Sequence, residues 1–253
     1  MVFPKKHLGQ HFLKDANIAR KIVSSFSPET ENVLEIGPGK GILTKYLISK
    51  FKNLYIIEID EESVKYLKHL FPDFSGRIIE GDFLKYDLNT IFMGRFSVIG
   101  NFPYNISSQI LFKILEYRNR VDEVVGMFQK EVAERISSPP GNKKYGILSV
   151  LIQAFYDIEL MFTVNENVFQ PPPKVKSTVI RLKRNKTAKL NCDEPLFFDL
   201  IKTAFNQRRK TLRNSLSKYH LTETDRVKSL FTKRAEQLNV MDFEYLTQRT
   251  TPA

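Results

Sequence analysis

Residues 35–41 read Glu-Ile-Gly-Pro-Gly-Lys-Gly. They follow a short apolar run at 32–34, which predicts a strand, and they precede residues 42–47, whose apolar side chains have helical spacing. A strand, a glycine turn and a helix in this order are typical of a nucleotide-binding corner, because glycine lets the backbone approach a ligand without a side-chain clash. The spacing G-x-G-x-G is neither the dinucleotide fingerprint nor a P-loop, which disfavours a ligand bound through a pyrophosphate.

Two further apolar runs end in acidic residues. Glu58 follows the strand predicted at 54–57, about 20 positions after the glycine turn, where a carboxylate suits ribose hydroxyls. Asp82 follows the strand predicted at 77–80 and could accept a hydrogen bond from an adenine amine. One such carboxylate is usually a helix cap or a solvated charge. Several in order predict a ligand site, because open α/β sheets bind ligands at the carboxyl ends of their strands.

A fourth apolar run, 96–100, ends in Asn-Phe-Pro-Tyr at 101–104. The Asn101 side-chain oxygen can accept a hydrogen bond from an exocyclic amine, and Pro103 restricts the backbone at the turn. Tyr104 offers an aromatic face on which a base can stack. The same tetrapeptide is ordinary loop chemistry, but its place behind the glycine turn favours a nucleobase site.

The composition indicates a globular protein, with 253 residues of which 42% are apolar and 26% charged. A single cysteine, Cys192, excludes a disulfide framework and a cysteine-rich zinc site, and the four histidines show no metal-ligand spacing. We therefore predict no metal. The chain has no long apolar stretch and its first residues lack the apolar core of a signal peptide, so we expect a cytoplasmic protein without membrane contact. Nothing in the sequence marks an oligomer, and a monomer is expected.

The charge is distributed unevenly along the chain. From Met1 to Gln170 there are 21 Lys and Arg against 20 Asp and Glu, whereas from Pro171 to Ala253 there are 18 against 8. A basic C-terminal third indicates a polyanionic partner, in preference to a generic solubilising surface. The cations beside Asn206 and Gln207 are the predicted phosphate contacts. They are Arg208, Arg209, Lys210 and Arg213.

Strands and helices alternate from Asn32 to about Lys130, which predicts a parallel, doubly wound sheet. Residues 158–164 and 175–182 are expected to form a closing antiparallel pair. Beyond a polar linker, only short helices are predicted, one of them at 209–216. We predict two domains, a domain of residues 1–185 that carries the ligand site and a small, all-helical, basic domain of residues 186–253.

Seven motifs together resemble the KsgA/RsmA type of ribosomal RNA adenine dimethyltransferase, within the S-adenosylmethionine-dependent methyltransferases. The motifs are Gly9–Leu13, Glu35–Gly39, Glu58–Asp60, Gly81–Leu84, Asn101–Tyr104, Val168–Val175 and Phe205–Lys210. They span nearly the whole chain. The chain departs from the family pattern at two positions, since the family often has Asn where His11 stands and Leu where Phe102 stands.

This resemblance implies a Rossmann-like class I methyltransferase sheet, mostly parallel with an antiparallel closing strand. It implies S-adenosylmethionine as the cofactor and dimethylation of the 6-amino groups of two adjacent adenosines near the 3′ end of 16S rRNA. The implied partner is small-subunit rRNA or an immature 30S particle, with a role in small-subunit biogenesis. Residues 1–185 would then be the catalytic domain and residues 186–253 the RNA-binding domain.

The resemblance also assigns roles to residues of this sequence. Asn101 and the Phe102 carbonyl would orient the target amine, while Tyr104 and Phe169 would sandwich the base. The expected cofactor-binding residues are His11, Leu13, Gly37, Gly39, Glu58, Asp82 and Asn101.

Three alternatives remain open at this stage. The first is a large-subunit rRNA adenine methyltransferase of the macrolide-resistance type, which is disfavoured by the segments at 9–13, 171–175 and 205–210. The second is a non-catalytic ribosome-assembly or transcription factor on the same fold, against which the intact glycine turn and Asn101 argue. The third, a DNA amino-methyltransferase, is disfavoured only by the family pattern.

Overall fold

The computed structural model describes residues 2–27 and 29–251 and divides the chain into two compact units. The first unit comprises Met1–Ala133 and Asp157–Arg184, and the second comprises Glu134–Tyr156 and Asn185–Ala253. The assignment of catalysis to residues 1–185 and of RNA binding to residues 186–253 stays a prediction.

The described strands are β1 (Phe12–Leu13), β2 (Asn32–Ile36), β3 (Asn53–Glu58), β4 (Ile78–Glu80), β5 (Phe96–Asn101), β6 (Val121–Gln129), β7 (Tyr156–Val164), β8 (Phe169–Gln170), β9 (Ser177–Arg184), β10 (His220–Leu221) and β11 (Thr250–Thr251). The described α-helices are α1 (Ala16–Val23), α2 (Thr44–Lys50), α3 (Glu61–Leu70), α4 (Ser107–Glu116), α5 (Lys130–Ser137), α6 (Ile147–Phe155), α7 (Glu194–Asn206), α8 (Leu212–Ser215), α9 (Asp225–Phe231) and α10 (Val240–Thr247).

Seven of these strands form one sheet in the order β4-β3-β2-β5-β6-β9-β7. The pairs β4–β3, β3–β2, β2–β5 and β5–β6 are parallel, and β9 pairs with β6 antiparallel. The predicted fold class, a mostly parallel sheet with an antiparallel closing strand, is confirmed. Val33 in β2 and Ile99 in β5 are fully buried, as expected of parallel strands covered on both faces.

The strand order reverses between β2 and β5, because the chain runs outward from β2 to β4 and then returns to β5. Ligands of open α/β sheets bind at such a switch point, outside the carboxyl ends of the strands. The glycine turn at the end of β2 and Asn101 at the end of β5 are therefore neighbours, although they are far apart in sequence.

An N-terminal segment of the first unit is anchored by a short strand pair. In this pair β1 lies antiparallel to β8, with Phe12 opposite Gln170 and Leu13 opposite Phe169. The helix that follows, α1, begins after Asp15, whose carboxylate accepts hydrogen bonds from the N–H groups of Asn17 and Ile18.

The C-terminal part of the second unit is built from the short helices α7 to α10. Two details differ from the sequence-based expectation. The helix predicted at 209–216 begins only at Leu212, because Lys210 N–H donates to the Gln207 carbonyl in a turn. In addition, β10 and β11 form a two-residue antiparallel pair that no sequence signal indicates.

Candidate active site

A first cavity of about 280 Å³ lies at the carboxyl ends of β2, β3 and β5, within the first unit. It brings together eight of the residues that the sequence analysis assigns to the cofactor or to catalysis. These are His11, Gly37, Gly39, Glu58, Asp82, Asn101, Phe102 and Tyr104. The segment from His7 to Phe12 also lines it, so the cavity has a wall that does not belong to the sheet.

The glycine turn forms the floor beside β2. Gly39 has a φ of +55°, and a Cβ atom at this position would lie 2.7 Å from the ring of Phe12. Both the left-handed backbone and the close ring therefore require glycine. Without a side chain at Gly39, the turn can lie directly against the Phe12 ring of the N-terminal segment.

Glu58 is buried and tied to the glycine turn. Its Oε2 accepts a hydrogen bond from Gly39 N–H and its Oε1 accepts one from Asp60 N–H, each at 3.0 Å. Burial raises the pKa of the Glu58 carboxyl above its usual range, although the hydrogen bonds from the Asp60 and Gly39 N–H groups act to lower it. Each carboxylate oxygen has a second lone pair, so the group can still accept a bond from a ligand hydroxyl.

Asp82 lies on the same wall, after β4, and is half-buried. Its Oδ1 accepts a hydrogen bond from Leu84 N–H at 3.0 Å, while the nearest cation, Lys85 Nζ, is 3.7 Å from Oδ2. The carboxylate is thus held by its own loop and retains capacity to accept from a base amine.

The Asn101 amide is oriented by the N-terminal segment. Its Nδ2 donates to the His11 carbonyl at 2.8 Å, and no residue in the described part of the chain donates to its Oδ1. The amide nitrogen is committed to the protein, so the oxygen is the group available to a ligand. Such an uncharged acceptor at the end of β5 is suited to hold an amino group.

Phe102 anchors the backbone at this point. Its ring is 1% exposed and packs edge-on against Phe128, with centroids 5.1 Å apart. The ring fits only because Gly100 and Gly126 have no side chains where it lies. No pattern in the sequence singles out these two glycines, since they come together only through the pairing of β5 with β6.

Tyr104 stands between the first cavity and a second cavity of about 480 Å³. His11 stacks on its ring at a centroid distance of 5.4 Å, and His11 Nδ1 lies 2.8 Å from the Pro171 carbonyl. The Tyr104 hydroxyl forms a hydrogen bond with the Ser177 hydroxyl, and burial raises the pKa of Tyr104. No pattern in the sequence singles out Ser177. Lys6 and Lys174 line the second cavity, which makes it an approach suited to an anionic chain.

Leu13 and Phe169 lie outside both cavities. They face each other across the β1–β8 pair, and they are 4% and 1% exposed. The Phe169 ring belongs to the apolar core of the unit and presents no open face. The sandwich of a base between Tyr104 and Phe169 stays a prediction, and it requires the Phe169 ring to leave the core.

The four predicted phosphate-binding cations of the second unit divide into two groups. Arg208 is committed to the protein, because its guanidinium donates to the carbonyls of Lys143 and Tyr145 and to the Glu236 carboxylate. The other three are exposed and have no ion-pair partner among the described residues. They are Arg209, Lys210 and Arg213.

Glu35 is a buried acid in the glycine motif to which the sequence analysis assigned no role. It is 1% exposed, and its Oε2 accepts a hydrogen bond from the Thr44 hydroxyl at 2.6 Å. Burial raises the pKa of its carboxyl from the ordinary value of 4.5 to about 8, with the Glu58 charge adding to the shift. At neutral pH the folded protein therefore holds Glu35 mainly in its protonated form.

This raised pKa predicts a pH-dependent stability. The folded chain binds the Glu35 proton more tightly than the unfolded chain, so the free energy of unfolding falls as the pH rises from about 5 to 8, by up to about 1.4 kcal/mol per pH unit. In Glu35→Gln, which mimics the neutral acid, this part of the fall should disappear. Denaturant unfolding of both proteins across that pH range measures the difference, and parallel curves would contradict the prediction.

Residues 2–27 and 29–251 contain neither a candidate metal centre nor a candidate membrane-spanning helix. No group of three or more His, Cys, Asp or Glu side chains in this part could hold a metal ion. No helix there is long and apolar enough to cross a membrane.

The chain was compared with known proteins. The model of the ribosomal RNA adenine dimethylase family matches residues 3–248. Ribosomal RNA small subunit methyltransferase A of Flavobacterium johnsoniae is 57% identical over 247 residues, covering 97% of this chain and 95% of that protein. A dimethyladenosine transferase from Plasmodium falciparum has a TM-score of 0.77 at 27% identity, covering 93% of this chain and 96% of that chain.

A second solved structure, the 23S rRNA methyltransferase ErmE, has a TM-score of 0.67 at 24% identity. The alignment covers 93% of this chain and 99% of that chain. At this level of identity the likeness shows a shared fold alone.

Proposed function

The chain belongs to the ribosomal RNA adenine dimethylase family, and from this membership we propose which of its residues perform the reaction. The enzyme uses S-adenosylmethionine to dimethylate the 6-amino group of adenine in small-subunit rRNA. The observation that supports our assignment of residues best is the Asn101 amide, whose nitrogen is held by the His11 carbonyl so that its oxygen is left for the target amine.

Three features of the first cavity fit the cofactor. The glycine turn brings the backbone of Gly37 and Gly39 to the cavity without side chains, Glu58 can accept from ribose hydroxyls, and Asp82 can accept from the adenine amine. When bound, S-adenosylmethionine supplies an electrophilic methyl group on a sulfonium centre. We propose that Gly37, Gly39, Glu58 and Asp82 hold it, with His11 contributing from the N-terminal segment. Leu13, which the family resemblance also assigns to the cofactor, lies outside this cavity, and its role stays a prediction.

The target nitrogen is a poor nucleophile, because its lone pair is delocalised into the purine ring. Asn101 Oδ1 and the Phe102 carbonyl would accept its two hydrogens, which favours the pyramidal geometry that frees the lone pair. Both oxygens would also stabilise the positive charge that develops on the nitrogen. An amide cannot ionise, so Asn101 stabilises this charge without accepting a proton from the amine. The proton is free to leave the nitrogen after the methyl group has been transferred.

Tyr104 would supply the stacking surface for the base. Stacking on one aromatic ring contributes about 1–3 kcal/mol, which offsets part of the few kcal/mol needed to take a base out of its stack. The His11 ring and the Ser177 hydroxyl hold Tyr104 in place from two sides.

Within small-subunit rRNA, we propose that the substrate is two adjacent adenosines near the 3′ end of 16S rRNA, presented on an immature 30S particle. Arg209, Lys210 and Arg213 would contact its phosphates and thereby position the RNA without reading its sequence. Action as a monomer in the cytoplasm is part of the same proposal, as is a role in small-subunit biogenesis.

The large-subunit alternative is not favoured, because the Flavobacterium relative is a small-subunit enzyme whereas ErmE shares only the fold. The test is transfer of labelled methyl groups from S-adenosylmethionine to 30S particles that lack the modification. Two methyl groups on each target adenine are expected. Binding to the particles without transfer would support the assembly-factor reading instead.

The RNA contacts predict a change in salt dependence. Arg209→Gln together with Lys210→Gln should weaken RNA binding and reduce the slope of log K against log salt by about 0.7–0.9 per lost phosphate contact. Lys186→Gln with Lys189→Gln is the matched control, because it removes two exposed charges from the same basic region. Filter binding across a salt series measures both, and equal slopes for the two double variants would contradict the assignment.

A further inference from the structure

The N-terminal segment from Lys5 to Leu13, called the arm below, covers one side of the first cavity. His7, Gln10 and Phe12 are among its residues that line the cavity. At its C-terminal end the arm is held by the β1–β8 strand pair, by His11 near the Pro171 carbonyl, and by the Asn101 amide. A ligand in the cavity can therefore be enclosed or released according to whether the other end of the arm stays in place.

That other end is held by an ion pair. Lys5 Nζ lies 2.5 Å from Asp60 Oδ1 and 3.3 Å from Glu62 Oε1. The Asp60 side chain is only 1% exposed, and its second oxygen accepts from the Ser63 hydroxyl at 2.7 Å. Lys5 is thus the cation that neutralises a carboxylate which the solvent hardly reaches.

The protonation states agree with this geometry. Burial opposes ionisation of Asp60, but the hydrogen bond from Lys5 keeps the pKa of Asp60 below its usual range. The hydrogen bond to Asp60 in turn raises the pKa of Lys5. Both groups are charged at neutral pH, and detaching the arm would break a charge-assisted hydrogen bond and leave Asp60 without its cation.

The ion pair is also connected to the cofactor residues. Asp60 N–H donates to Glu58 Oε1, and the other Glu58 oxygen accepts from Gly39 N–H. Within the arm, Lys5 N–H donates to Gln10 Oε1 at 2.8 Å, which keeps the start of the arm folded toward the cavity. Lys5 therefore joins the arm to the same loop that carries the ribose-binding carboxylate.

We propose that the Lys5–Asp60 ion pair is a latch that holds the arm over the cofactor cavity and sets the rate at which the cofactor and its demethylated product leave. Lys5 is a positioning residue in this proposal, since it acts through the arm and through Asp60. The identity of the ligand rests on the proposed function, whereas the latch itself rests on the ion pair and on the arm residues that line the cavity.

The experiment compares Lys5→Gln with Lys65→Gln. The control removes the same charge from an exposed ion pair with Glu61 on α3, which does not involve the arm. Stopped-flow dissociation of S-adenosylmethionine and of S-adenosylhomocysteine should be about tenfold faster or more in Lys5→Gln, because loss of a buried charge partner acts mainly on the dissociation rate. Dissociation from Lys65→Gln should stay within about twofold of wild type, since exposed pairs contribute little.

Hydrogen exchange gives a readout that needs no cofactor. In the free protein, the amides of residues 5–13 should exchange faster in Lys5→Gln than in wild type, while those of α3 should keep their protection. Lys5→Arg, which preserves the charge, should restore both slow exchange and slow dissociation. Asp60→Asn should also speed dissociation, and combining it with Lys5→Gln should add little, because both changes open the same latch.

Failure of the proposed function and failure of the latch would give different results. If wild-type protein binds neither ligand, the proposed function is wrong. If wild type binds both, and Lys5→Gln and Asp60→Asn both keep wild-type dissociation rates and arm protection, the latch is wrong while the proposed function stands.

Discussion

Asn101→Ala is expected to lower methyl transfer by about 10²–10³-fold, the range seen when one preorganised polar contact to a developing charge is removed. The variant loses the oxygen that would accept from the target amine, and it loses the bond that ties Asn101 to the His11 carbonyl. Binding of RNA should survive, because the variant leaves the phosphate contacts that we propose for the second unit untouched. Labelled-methyl transfer to unmodified 30S particles measures the first effect, and filter binding measures the second.

A second substitution at this position separates the two contacts. Asn101→Asp keeps an acceptor oxygen but replaces the Nδ2 donor by a second acceptor facing the His11 carbonyl. If orientation by His11 matters, this nearly isosteric variant should also be strongly impaired. Wild-type turnover in Asn101→Ala would show that the reaction does not depend on this amide.

Gly126→Ala is expected to destabilise the protein by about 3 kcal/mol or more, at the upper end of the usual cost of overpacking. A Cβ atom at this position would lie 2.6 Å from the Phe128 ring and closer still to the Phe102 ring. Neither ring has room to move, since both are fully buried. Because Phe102 follows Asn101 directly, the displacement should also reduce activity. Denaturant unfolding and the methyl-transfer assay report the two effects.

Two controls test whether the clash is the cause. Gly76→Ala should be nearly neutral, because a Cβ atom there meets nothing within 4 Å. Phe102→Leu should be tolerated better than Gly126→Ala, and combined with it should recover part of the lost stability by removing one of the two clashing rings. An unchanged unfolding midpoint in Gly126→Ala would contradict the prediction, because it would mean that the Phe102 and Phe128 rings can make room for a Cβ atom.

The mostly parallel sheet and the placement of polar side chains at its strand ends were predictable from the sequence. Strands β2 to β6 appear as apolar runs separated by helical periodicity, and Glu58, Asp82 and Asn101 stand where such runs end. Alternation and helical spacing are short-range properties of the chain, and all parallel strands present their carboxyl ends at one edge. The convergence of these side chains on the first cavity follows from those two facts.

Other roles depended on contacts that the sequence does not display. Arg208 looks like its neighbour Arg209, yet its guanidinium is bonded to the loop at 143–145 and to Glu236. Phe169 belongs to a motif but lies in the core, because β8 pairs with β1. The basic run and the aromatic motif are visible in the sequence, whereas the bonding of Arg208 and the burial of Phe169 are visible only in the structure.

The order of residues along this chain is therefore enough to place its strands, its glycine turn and the acceptors at the strand ends, since neighbours in sequence create those patterns. Folding decides which of these groups stays available to a ligand. The bonds that make this choice join Lys5 to Asp60, Arg208 to Lys143, and Asn101 to His11, which are 55, 65 and 90 positions apart. Contacts over such separations leave no periodic signal, and they form only when the packed chain brings their atoms within bonding distance.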